Sequence, residues 1–588
     1  MAQLIMRLRP ASEAAASRPR RRNVLPWILA AGWLGQVLIR LWCARTRTGP
    51  GANPDETGYL IAARWLAGGP GGDLSGNTFY QGGYPLLLTP AYWLADDPVT
   101  VYTLVMAINA LVSAAAFPLG YLVLRRMAVT RRPALALAWA AALFPATTFF
   151  GAYALTDAVL PVIVLGWIVL LERFVRTGGV YWAAGSSLVA SYAYAVHTRG
   201  LVLLCVHTAA LLFLAVQKDH TAPKAAAART GRVVARRLAA RAGVGAAVGG
   251  YVAVSAFHGL VQASLYPEGV RDLSGNIEAR LTTLDGQLWA WSGAAGQIWY
   301  LIVSTWGLAG VGLVALLAAL CGRLRESHGM GRVIPAVVLA STFGVAYTSS
   351  AALSDEHRVG NFAYGRYLSC LALVHALIGI GALVRSTGRQ RAGLAACAAA
   401  IMAGSGAWVA LYAGDRLRTS HFIGFDFPET SFLTADRNAF HLTTASVSAM
   451  GLLAAFLVLR RLHVLAVAAG LLAVSLAAMT FIVGTSTKRV APASPIPLAA
   501  GRVAIDRSLS WGVRIILMYP VWWTRLERVD TRTGPPGPGV CTVVVNRPAG
   551  TDVGASWPRR PAGWTATTGD SWGHGWVAWR APSCPRRR

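Results

Sequence analysis

Residues 24–44 read VLPWILAAGWLGQVLIRLWCA, a run in which Arg40 is the only charged side chain. A helix needs about 20 apolar residues to cross roughly 30 Å of hydrocarbon, so this stretch predicts a transmembrane helix. The run follows Arg18-Pro19-Arg20-Arg21-Arg22 and lacks a short apolar region with a cleavage site. We therefore expect a retained membrane anchor rather than a cleaved signal peptide.

Apolar runs of this kind recur along the chain. Of the 588 residues, 55% are hydrophobic and 13% are charged, and the mean hydropathy is +0.47. Soluble domains carry about 25% charged residues, so the composition argues against a water-soluble enzyme, a disordered chain, collagen or a coiled coil. It predicts an all-α polytopic membrane protein with about 13 transmembrane helices. The predicted spans are 24–44, 99–124, 134–150, 158–171, 180–196, 200–216, 243–261, 294–320, 333–350, 367–384, 393–413, 441–459 and 463–484.

The net charge of +29 is distributed in a way that marks the two sides of the membrane. Alternate loops hold 27 Lys and Arg residues against 4 Asp and Glu residues, and such a basic excess identifies cytoplasmic loops. We therefore expect a plasma-membrane protein with its N-terminus in the cytoplasm, its C-terminus outside and no nucleic-acid partner. The predicted cytoplasmic segments are 1–23, 125–133, 172–179, 217–242, 321–332, 385–392 and 460–462.

Three parts follow from this layout. They are a basic cytoplasmic N-terminus at 1–23, a transmembrane domain at 24–484 with a long outer loop at 45–98, and an extracytoplasmic domain at 485–588. The last part contains eight Trp residues and short β-like runs such as 541–546, which predict a small β-rich domain. Its Trp rings stack on sugars, fill the core of the domain or lie at the membrane interface, and the sequence leaves these interpretations open.

The seven cysteines form no metal-binding pattern such as a repeated CxxC. Cys541 and Cys584 lie in the predicted external domain, where oxidation is permitted. A disulfide between them and two free thiols are both open alternatives.

The segment Asn53-Pro54-Asp55-Glu56 begins a predicted short helix at 54–68, whose mixed polar and apolar faces suit the membrane interface. Asn53 suits an N-cap and Pro54 the first helical position. Two interpretations of the acidic pair remain. Glu56 closes a capping box with Asn53 while Asp55 merely suits the helix dipole, or the two carboxylates perform chemistry.

Asp157 borders a predicted span, in Leu155-Thr156-Asp157. An ionisable residue at that depth is costly unless it is paired or faces water, so we interpret it as a site residue, with Arg199 as its candidate partner. The alternative is a solvated loop acid.

The order of these motifs resembles the GT-C glycosyltransferase superfamily, which includes the protein O-mannosyltransferases, the aminoarabinose transferases and the actinobacterial arabinosyl- and mannosyltransferases. The resemblance consists of an acidic pair soon after the first span, a Tyr a few residues later, a Y-P-L-L-L run and outward loops on about a dozen helices. The matching stretches are Asp55-Glu56, Tyr59, Tyr84-Pro85-Leu86-Leu87-Leu88, Leu155-Thr156-Asp157, His197-Thr198-Arg199-Gly200 and Tyr364-Gly365-Arg366-Tyr367-Leu368.

This resemblance implies a sugar transfer at the outer face of the membrane. The donor is a polyprenyl-phosphate (or diphosphate) sugar, the acceptor is an extracytoplasmic glycan, lipid or protein, and a single displacement gives inversion. An acceptor hydroxyl needs a nearby base, and the resemblance puts Asp55 in that role. Glu56 then holds the acceptor, orients Asp55 or helps to bind a divalent cation. The cofactor is left open: if Mg²⁺ or Mn²⁺ is needed, its candidate ligands are Asp55, Glu56 and Asp157.

The departing phosphate is anionic, so cationic side chains are expected to stabilise it. Each candidate below also has an interpretation without a role in substrate binding, such as anchoring at the membrane interface or simple exposure to solvent. The candidate substrate-binding residues are Arg366, Arg358, Arg199, His357, Tyr59, Tyr84 and Tyr364.

Two rival functions remain at this stage. One is a multi-pass transporter or flippase, against which the spans show few charges and no matched pair of broken helices. The other is a non-catalytic scaffold that binds wall glycan through its Trp-rich domain. The loop acids Asp426, Glu429 and Asp436 are assigned no role.

Overall fold

The computed structural model describes residues 24–217, 227–322, 329–484, 501–571 and 573–584. The predicted cytoplasmic N-terminus at 1–23 lies outside the described residues, as do positions 485–500 at the start of the predicted C-terminal domain.

Helices make up most of the described chain as far as residue 484. Those on the path through the apolar runs are α1 (Leu25–Ala44), α2 (Asp55–Leu66), α3 (Gly83–Leu94), α4 (Pro98–Ser113), α5 (Ala116–Arg126), α6 (Arg131–Ala141), α7 (Pro145–Thr148), α8 (Leu160–Thr177), α9 (Val180–Val196), α10 (Arg199–Val216), α11 (Ala227–Leu265), α12 (Ser274–Thr282), α13 (Leu284–Val303), α14 (Leu308–Leu320), α15 (Val333–Ala352), α16 (Gly360–Ala363), α17 (Ser369–Arg385), α18 (Gly388–Ala413), α19 (Arg416–Thr419), α20 (Pro428–Thr434), α21 (Leu442–Leu462) and α22 (Val464–Val483).

Among the described residues, eight helices are long and apolar enough to cross a membrane, or up to ten if each of two bent pairs is one span. The predicted count of about 13 spans is therefore not confirmed. The predicted span 134–150 bends by 69° after α6, and 294–320 bends by 114° between α13 and α14. Pro145 begins the helix after the first bend, and Gly307 lies at the second with a left-handed φ of +83°, which glycine adopts without strain.

The long connections between the helices lie at one end of the helix bundle. The connections before α2, before α8, before α17 and before α21 contact one another there. Ala154 donates its backbone N–H to Glu56, Arg366 bonds Asp157, and His421 donates its N–H to the His357 carbonyl. We call this end the site face.

The helix α2 lies inside the site face rather than on its surface. It begins at Asp55 and ends at Leu66, slightly within the predicted 54–68, and residues 56–64 are all buried. Both the polar and the apolar face of α2 pack against protein, because α3 and the C-terminal domain cover the helix. Tyr59 packs edge-on against Tyr84 of α3, with ring centroids 5.4 Å apart, and Arg64 donates a hydrogen bond to the Thr524 carbonyl over 2.8 Å.

The C-terminal domain contains a five-stranded sheet, as predicted. The sheet order is β2-β1-β3-β5-β4, with β1 parallel to β2 and β3 and the rest antiparallel. A helix that the sequence did not predict, α23, connects β1 to β2 and makes their parallel pairing feasible. The elements are β1 (Arg502–Asp506), α23 (Trp511–Val521), β2 (Leu526–Val529), β3 (Val540–Asn546), β4 (Thr565–Ser571) and β5 (His574–Arg580).

Most of the described Trp side chains in this domain fill its core. Trp522, Trp557, Trp576 and Trp579 are buried, whereas Trp511 is exposed. Of the interpretations left open by the sequence, the location of these four rings favours a role in the core of the domain.

Cys541 on β3 forms a disulfide with Cys584 after β5, across 43 residues of chain. Replacing both cysteines by Ser is expected to destabilise the C-terminal domain by about 2–4 kcal/mol, because the unfolded chain regains the freedom that the cross-link removes. Thermal unfolding followed by Trp fluorescence measures the effect. The exposed thiol Cys205 gives the control: Cys205→Ser should leave the transition unchanged, and an equal shift in both variants contradicts the prediction.

Candidate active site

Two carboxylates and two guanidinium groups form a continuous chain on the site face. The Arg366 guanidinium bonds Asp55 through Nη2 over 3.0 Å and Asp157 through Nε over 2.9 Å. Arg199 bonds the other oxygen of Asp157 over 2.9 Å. We call these four residues the acid–arginine cluster.

Each member of the cluster lies at or just before the start of a helix. Asp55 is the first residue of α2, Arg199 is the first residue of α10, Asp157 lies in the turn before α8, and Arg366 lies in the connection before α17. Helix N-termini favour carboxylates, which suits Asp55. The cluster therefore joins four segments that are far apart in the sequence.

Asp157 holds the cluster together. Its side chain is 0% exposed, and each of its oxygens accepts from a different arginine. Burial by itself would raise the pKa of Asp157, but Arg199 and Arg366 hold it well below its usual range. The two guanidinium groups thus favour the anionic form of the carboxylate, and the expected Asp157–Arg199 pair is present.

Asp55 differs from Asp157 in its access to solvent. Its side chain is 35% exposed, and its Oδ2 oxygen is fixed by Arg366. An incoming molecule can therefore reach Asp55 without breaking the buried part of the cluster.

Glu56 points away from Asp55 and is fully buried. Its Oε2 oxygen accepts from the backbone N–H groups of Gly51 and Ala52, and its Oε1 oxygen accepts from the Tyr102 hydroxyl and from the Ala154 N–H, each over 2.6 Å. The capping-box interpretation was wrong, because Asn53 bonds Thr57 instead of the helix N–H groups. Glu56 fastens the start of α2 to two neighbouring segments.

The hydrogen-bond and ion-pair partners of Asp55, Glu56 and Asp157 prevent these three candidate ligands from sharing one cation. Both oxygens of Glu56 are occupied by N–H and O–H donors, and both oxygens of Asp157 by arginines. Within the described ranges, no group of three His, Cys, Asp or Glu side chains is placed to hold a metal ion. The partners of Glu56 and Asp157 leave these three carboxylates unsuited to hold Mg²⁺ or Mn²⁺ together.

The predicted aromatic and basic residues separate into two groups. Tyr364 lies beside the cluster, 3.5 Å from Arg366 Nη1, and the Arg358 guanidinium lies 5.5 Å from the centre of its ring. Tyr84 is fully buried and bonds Asn109, so its ring lines no open surface. Tyr59 is also buried, packed between α2 and α3.

His357 lies apart from the cluster. Its side chain is 91% exposed, and its ring is 3.8 Å from Asp355. Arg358 forms a salt bridge with Glu356, over 3.4 Å. Of the two, only Arg358 faces the cluster.

Asp426 is a third carboxylate beside the cluster, and no motif in the sequence selects it. It is buried, bonds the Tyr364 hydroxyl, and faces Arg366, Arg358 and Asp55. Burial raises the pKa of Asp426 to about 6, although the two arginines oppose the shift. Its loop position among aromatic residues was the only available signal, and many solvated acids share that pattern.

The other two unassigned acids lie outside this group. Glu429 is buried, and its oxygen accepts from the Tyr300 hydroxyl over 2.6 Å. Burial raises the pKa of Glu429 to about 7. Asp436 pairs with His441 at the surface.

The fold of the chain is similar to that of a solved crystal structure. The structure of ArnT from Cupriavidus metallidurans bound to undecaprenyl phosphate aligns with 96% of this chain and 99% of that chain, with a TM-score of 0.50 and 13% sequence identity. This chain has the GT-C fold. The fold predicted from the motifs is thereby confirmed, and the protein is a multi-pass membrane protein.

Other solved structures match with lower scores. The match to arabinosyltransferase EmbB from Mycobacterium smegmatis covers 84% of this chain and 46% of that chain. The sequence identity is 16% and the TM-score is 0.37. The match to the Archaeoglobus fulgidus oligosaccharyltransferase tethered with an acceptor peptide covers 89% of this chain and 70% of that chain. The sequence identity is 12% and the TM-score is 0.42. No protein-family model and no curated protein sequence matches the chain. The identification of the GT-C fold therefore comes from the three-dimensional structure.

Proposed function

We propose that this protein is a glycosyltransferase that moves one sugar from a polyprenyl-phosphate donor to an extracytoplasmic acceptor. The observation that carries the proposal is the contrast inside the acid–arginine cluster. Asp157 is sealed off and fixes two arginines, whereas Asp55 is fixed on one side and open on the other. A fixed and accessible carboxylate suits a general base.

The proposed reaction is a single displacement. Asp55 accepts the proton of the acceptor hydroxyl as that oxygen attacks the anomeric carbon of the donor sugar. The new glycosidic bond forms as the bond between the anomeric carbon and the phosphate oxygen breaks, so the configuration inverts. The electron pair of the broken bond leaves with the phosphate, and the proton stays on Asp55 until water removes it.

Arg366 and Arg358 supply positive charge for the departing phosphate. Arg366 is held at a fixed position by Asp55 and Asp157, and Arg358 lies across the Tyr364 ring from it. Preorganised cations stabilise a developing anion more than mobile ones, because they need no reorganisation during the reaction. In this mechanism Arg199 and Glu56 are positioning residues.

The proposed orientation puts the site face outside the plasma membrane and the N-terminus in the cytoplasm. It follows the excess of Lys and Arg in the loops at the opposite end of the bundle. A lipid-anchored donor then presents its sugar at the level of Asp55, and the acceptor arrives from the extracytoplasmic side as a glycan, lipid or protein.

Mass analysis of lipid-linked sugars and surface glycans in a strain that lacks this protein tests the proposal. We expect one lipid-linked sugar to accumulate and one glycan, lipid or protein conjugate to lose that sugar. Complementation with the wild-type gene should restore both pools. An unchanged profile in both pools contradicts the transferase function, and a change in the distribution of an intact lipid-linked sugar across the membrane favours a flippase.

The titration of Asp426 gives a pH prediction for the same reaction. With a pKa of about 6, the group is neutral below that pH and anionic above it. The anion faces the arginines that receive the donor phosphate, and a like charge within a few ångströms opposes binding. We expect KM for the donor to rise several-fold, up to about tenfold, from about pH 5 to about pH 7.

Asp426→Asn should remove this pH dependence, because an amide does not ionise. The donor is a phosphodiester and does not titrate in the same range. Asp436→Asn is the matched control, since that acid is paired with His441 away from the cluster. A pH profile of KM that is the same in wild type and Asp426→Asn contradicts the assignment.

A further inference from the structure

The short connection between α9 and α10 contributes a histidine that the proposed reaction does not use. His197 follows the last residue of α9, and Arg199 is the first residue of α10. The two helices approach so closely that a β-carbon on Gly200 would lie 2.1 Å from the Ala193 carbonyl oxygen, a distance that only glycine avoids. This close packing fixes the backbone that carries His197, whose ring lies partly buried beside the acid–arginine cluster.

One ring nitrogen of His197 accepts hydrogen bonds from Arg199. The backbone N–H of Arg199 donates to Nδ1 over 3.1 Å, and the guanidinium Nε–H donates to the same atom over 3.3 Å. The first contact pairs an N–H group that has no acceptor within α10, because it belongs to the first turn of the helix. The Thr198 hydroxyl also lies 3.2 Å from Nδ1. His197 therefore both caps α10 and holds the side chain of its first residue.

These contacts define the protonation state of the ring. A backbone amide and a guanidinium are donors only, so Nδ1 has to carry its lone pair and the proton of the neutral ring lies on Nε2. A proton on Nδ1 would face both N–H groups of Arg199. Burial and the charge of Arg199 also lower the pKa of His197 well below its usual range, with a smaller contribution from Arg366 and with Asp157 opposing. The imidazole is thus a neutral acceptor.

The other donors of Arg199 extend this contact to two distant segments. Nη2 donates to Asp157 over 2.9 Å, and Nη1 donates to the backbone carbonyls of Arg366 and Tyr367 over 3.1 Å and 3.2 Å. Because the guanidinium is planar and rigid, the acceptor at Nε sets the direction in which Nη1 and Nη2 point. His197 therefore orients a side chain that contacts both supports of Arg366, namely its carboxylate partner and its own backbone.

A second histidine has the same local geometry without the arginine. His463 precedes α22, and its Nδ1 atom accepts from the Leu465 backbone N–H over 3.1 Å, again from two residues along the chain. Its ring is exposed. Within the described part of the chain, His463 caps a helix without bonding a charged side chain, which makes it a matched comparison for His197.

We propose that His197 is a positioning residue for sugar transfer. Through Nδ1 it holds the Arg199 guanidinium at the angle at which Asp157 and the 366–367 backbone are both in reach, and this fixes Arg366 for the departing phosphate. The inference rests on the proposed function for the reaction, whereas the contacts and the protonation state of His197 do not depend on it. A helix cap alone would require only the bond from the backbone N–H.

Two substitutions of different chemistry test the proposal. His197→Leu keeps a side chain of similar volume but removes the acceptor of Arg199 Nε. We expect kcat for transfer to fall about tenfold or more, with a smaller change in KM for the donor, because a fixed cation acts mainly where charge develops. His197→Asn places an amide oxygen close to the position of Nδ1, and we expect it to recover most of the lost kcat.

The order of the two variants separates positioning from packing. Positioning requires Asn to be more active than Leu, whereas a role in packing alone requires the reverse, because Leu fills the space better. His463→Leu and His463→Asn form the control pair, and both should have the kcat of the wild type because they alter only a helix cap at the opposite end of the bundle. Wild-type kcat in His197→Leu, or a Leu variant at least as active as the Asn variant, overturns the proposal.

Nitrogen NMR of the full-length protein labelled with ¹⁵N-histidine gives a readout that is independent of transfer. The His197→Asn spectrum identifies the His197 signals by their loss. We expect a neutral ring with its proton on Nε2 from about pH 5 to about pH 8, whereas an ordinary exposed histidine titrates at about pH 6.5. A proton on Nδ1, or a titration at the ordinary pKa, overturns the proposal. If the spectrum is as expected but the wild type transfers no sugar, the contact with Arg199 is supported, and the transferase function fails together with the positioning role.

Discussion

Asp55→Asn is expected to lower kcat for sugar transfer by about 10²–10⁴-fold, because an amide cannot accept the proton of the acceptor hydroxyl. The shape of the side chain and its contact with Arg366 Nη2 are largely preserved. The loss should therefore appear in kcat, with little change in the amount of folded protein or in donor affinity. Transfer from a lipid extract to the accepting fraction of the envelope measures the rate.

Asp96→Asn provides the control for this variant. Asp96 is exposed at the start of the connection to α4, well separated in sequence from α2, and it has no ion pair with a described residue. Its transfer rate should equal that of the wild type. Full activity of Asp55→Asn contradicts the assignment of the general base and makes Asp426, which also faces Arg366, the next candidate.

Asp157→Asn is expected to act through stability. Among the described residues, Asp157 is the carboxylate that pairs with Arg199, and the substitution leaves the buried Arg199 and the partly buried Arg366 facing an amide. Removing one partner of a buried ion pair costs about 3–5 kcal/mol, since the remaining charge keeps its desolvation penalty. We expect a clear fall in the melting temperature in detergent, together with loss of transfer.

A double variant distinguishes this explanation from simple loss of packing. Asp157→Asn with Arg199→Met removes both charges of the buried pair, and we expect it to recover part of the stability that Asp157→Asn loses. Asp55→Asn should show only a small shift, because Asp55 is partly exposed. A melting temperature for Asp157→Asn equal to that of the wild type contradicts the structural role.

The sequence predicted the cluster better than it predicted the roles within it. Asp55, Asp157, Arg199 and Arg366 were each selected from a motif or from a charge next to an apolar run, and the structure brings all four together. Glu56 shares the motif of Asp55, but it is turned inward and fully bonded. Adjacent helical residues point in different directions, so their shared motif implied no shared environment.

The residues that sequence reasoning missed or misplaced depend on long-range contacts. Asp426 reaches Arg366 because the connection between α18 and α21 folds back over the site face. Tyr84 was expected near a sugar and instead lies in the core beside Asn109. No local pattern separates a loop acid that enters a site from one that meets solvent.

The sequence by itself determined that this is a polytopic membrane protein with a distinct C-terminal sheet, because apolar length, charge asymmetry and alternating β-like runs are local properties. Only the tertiary structure decided which carboxylate is open and which is sealed, and where the spans bend. The physical reason is that burial and ion pairing are set by distant segments. The environment of a charge is therefore a property of the assembled fold, whereas the tendency of a segment to enter a membrane belongs to the segment itself.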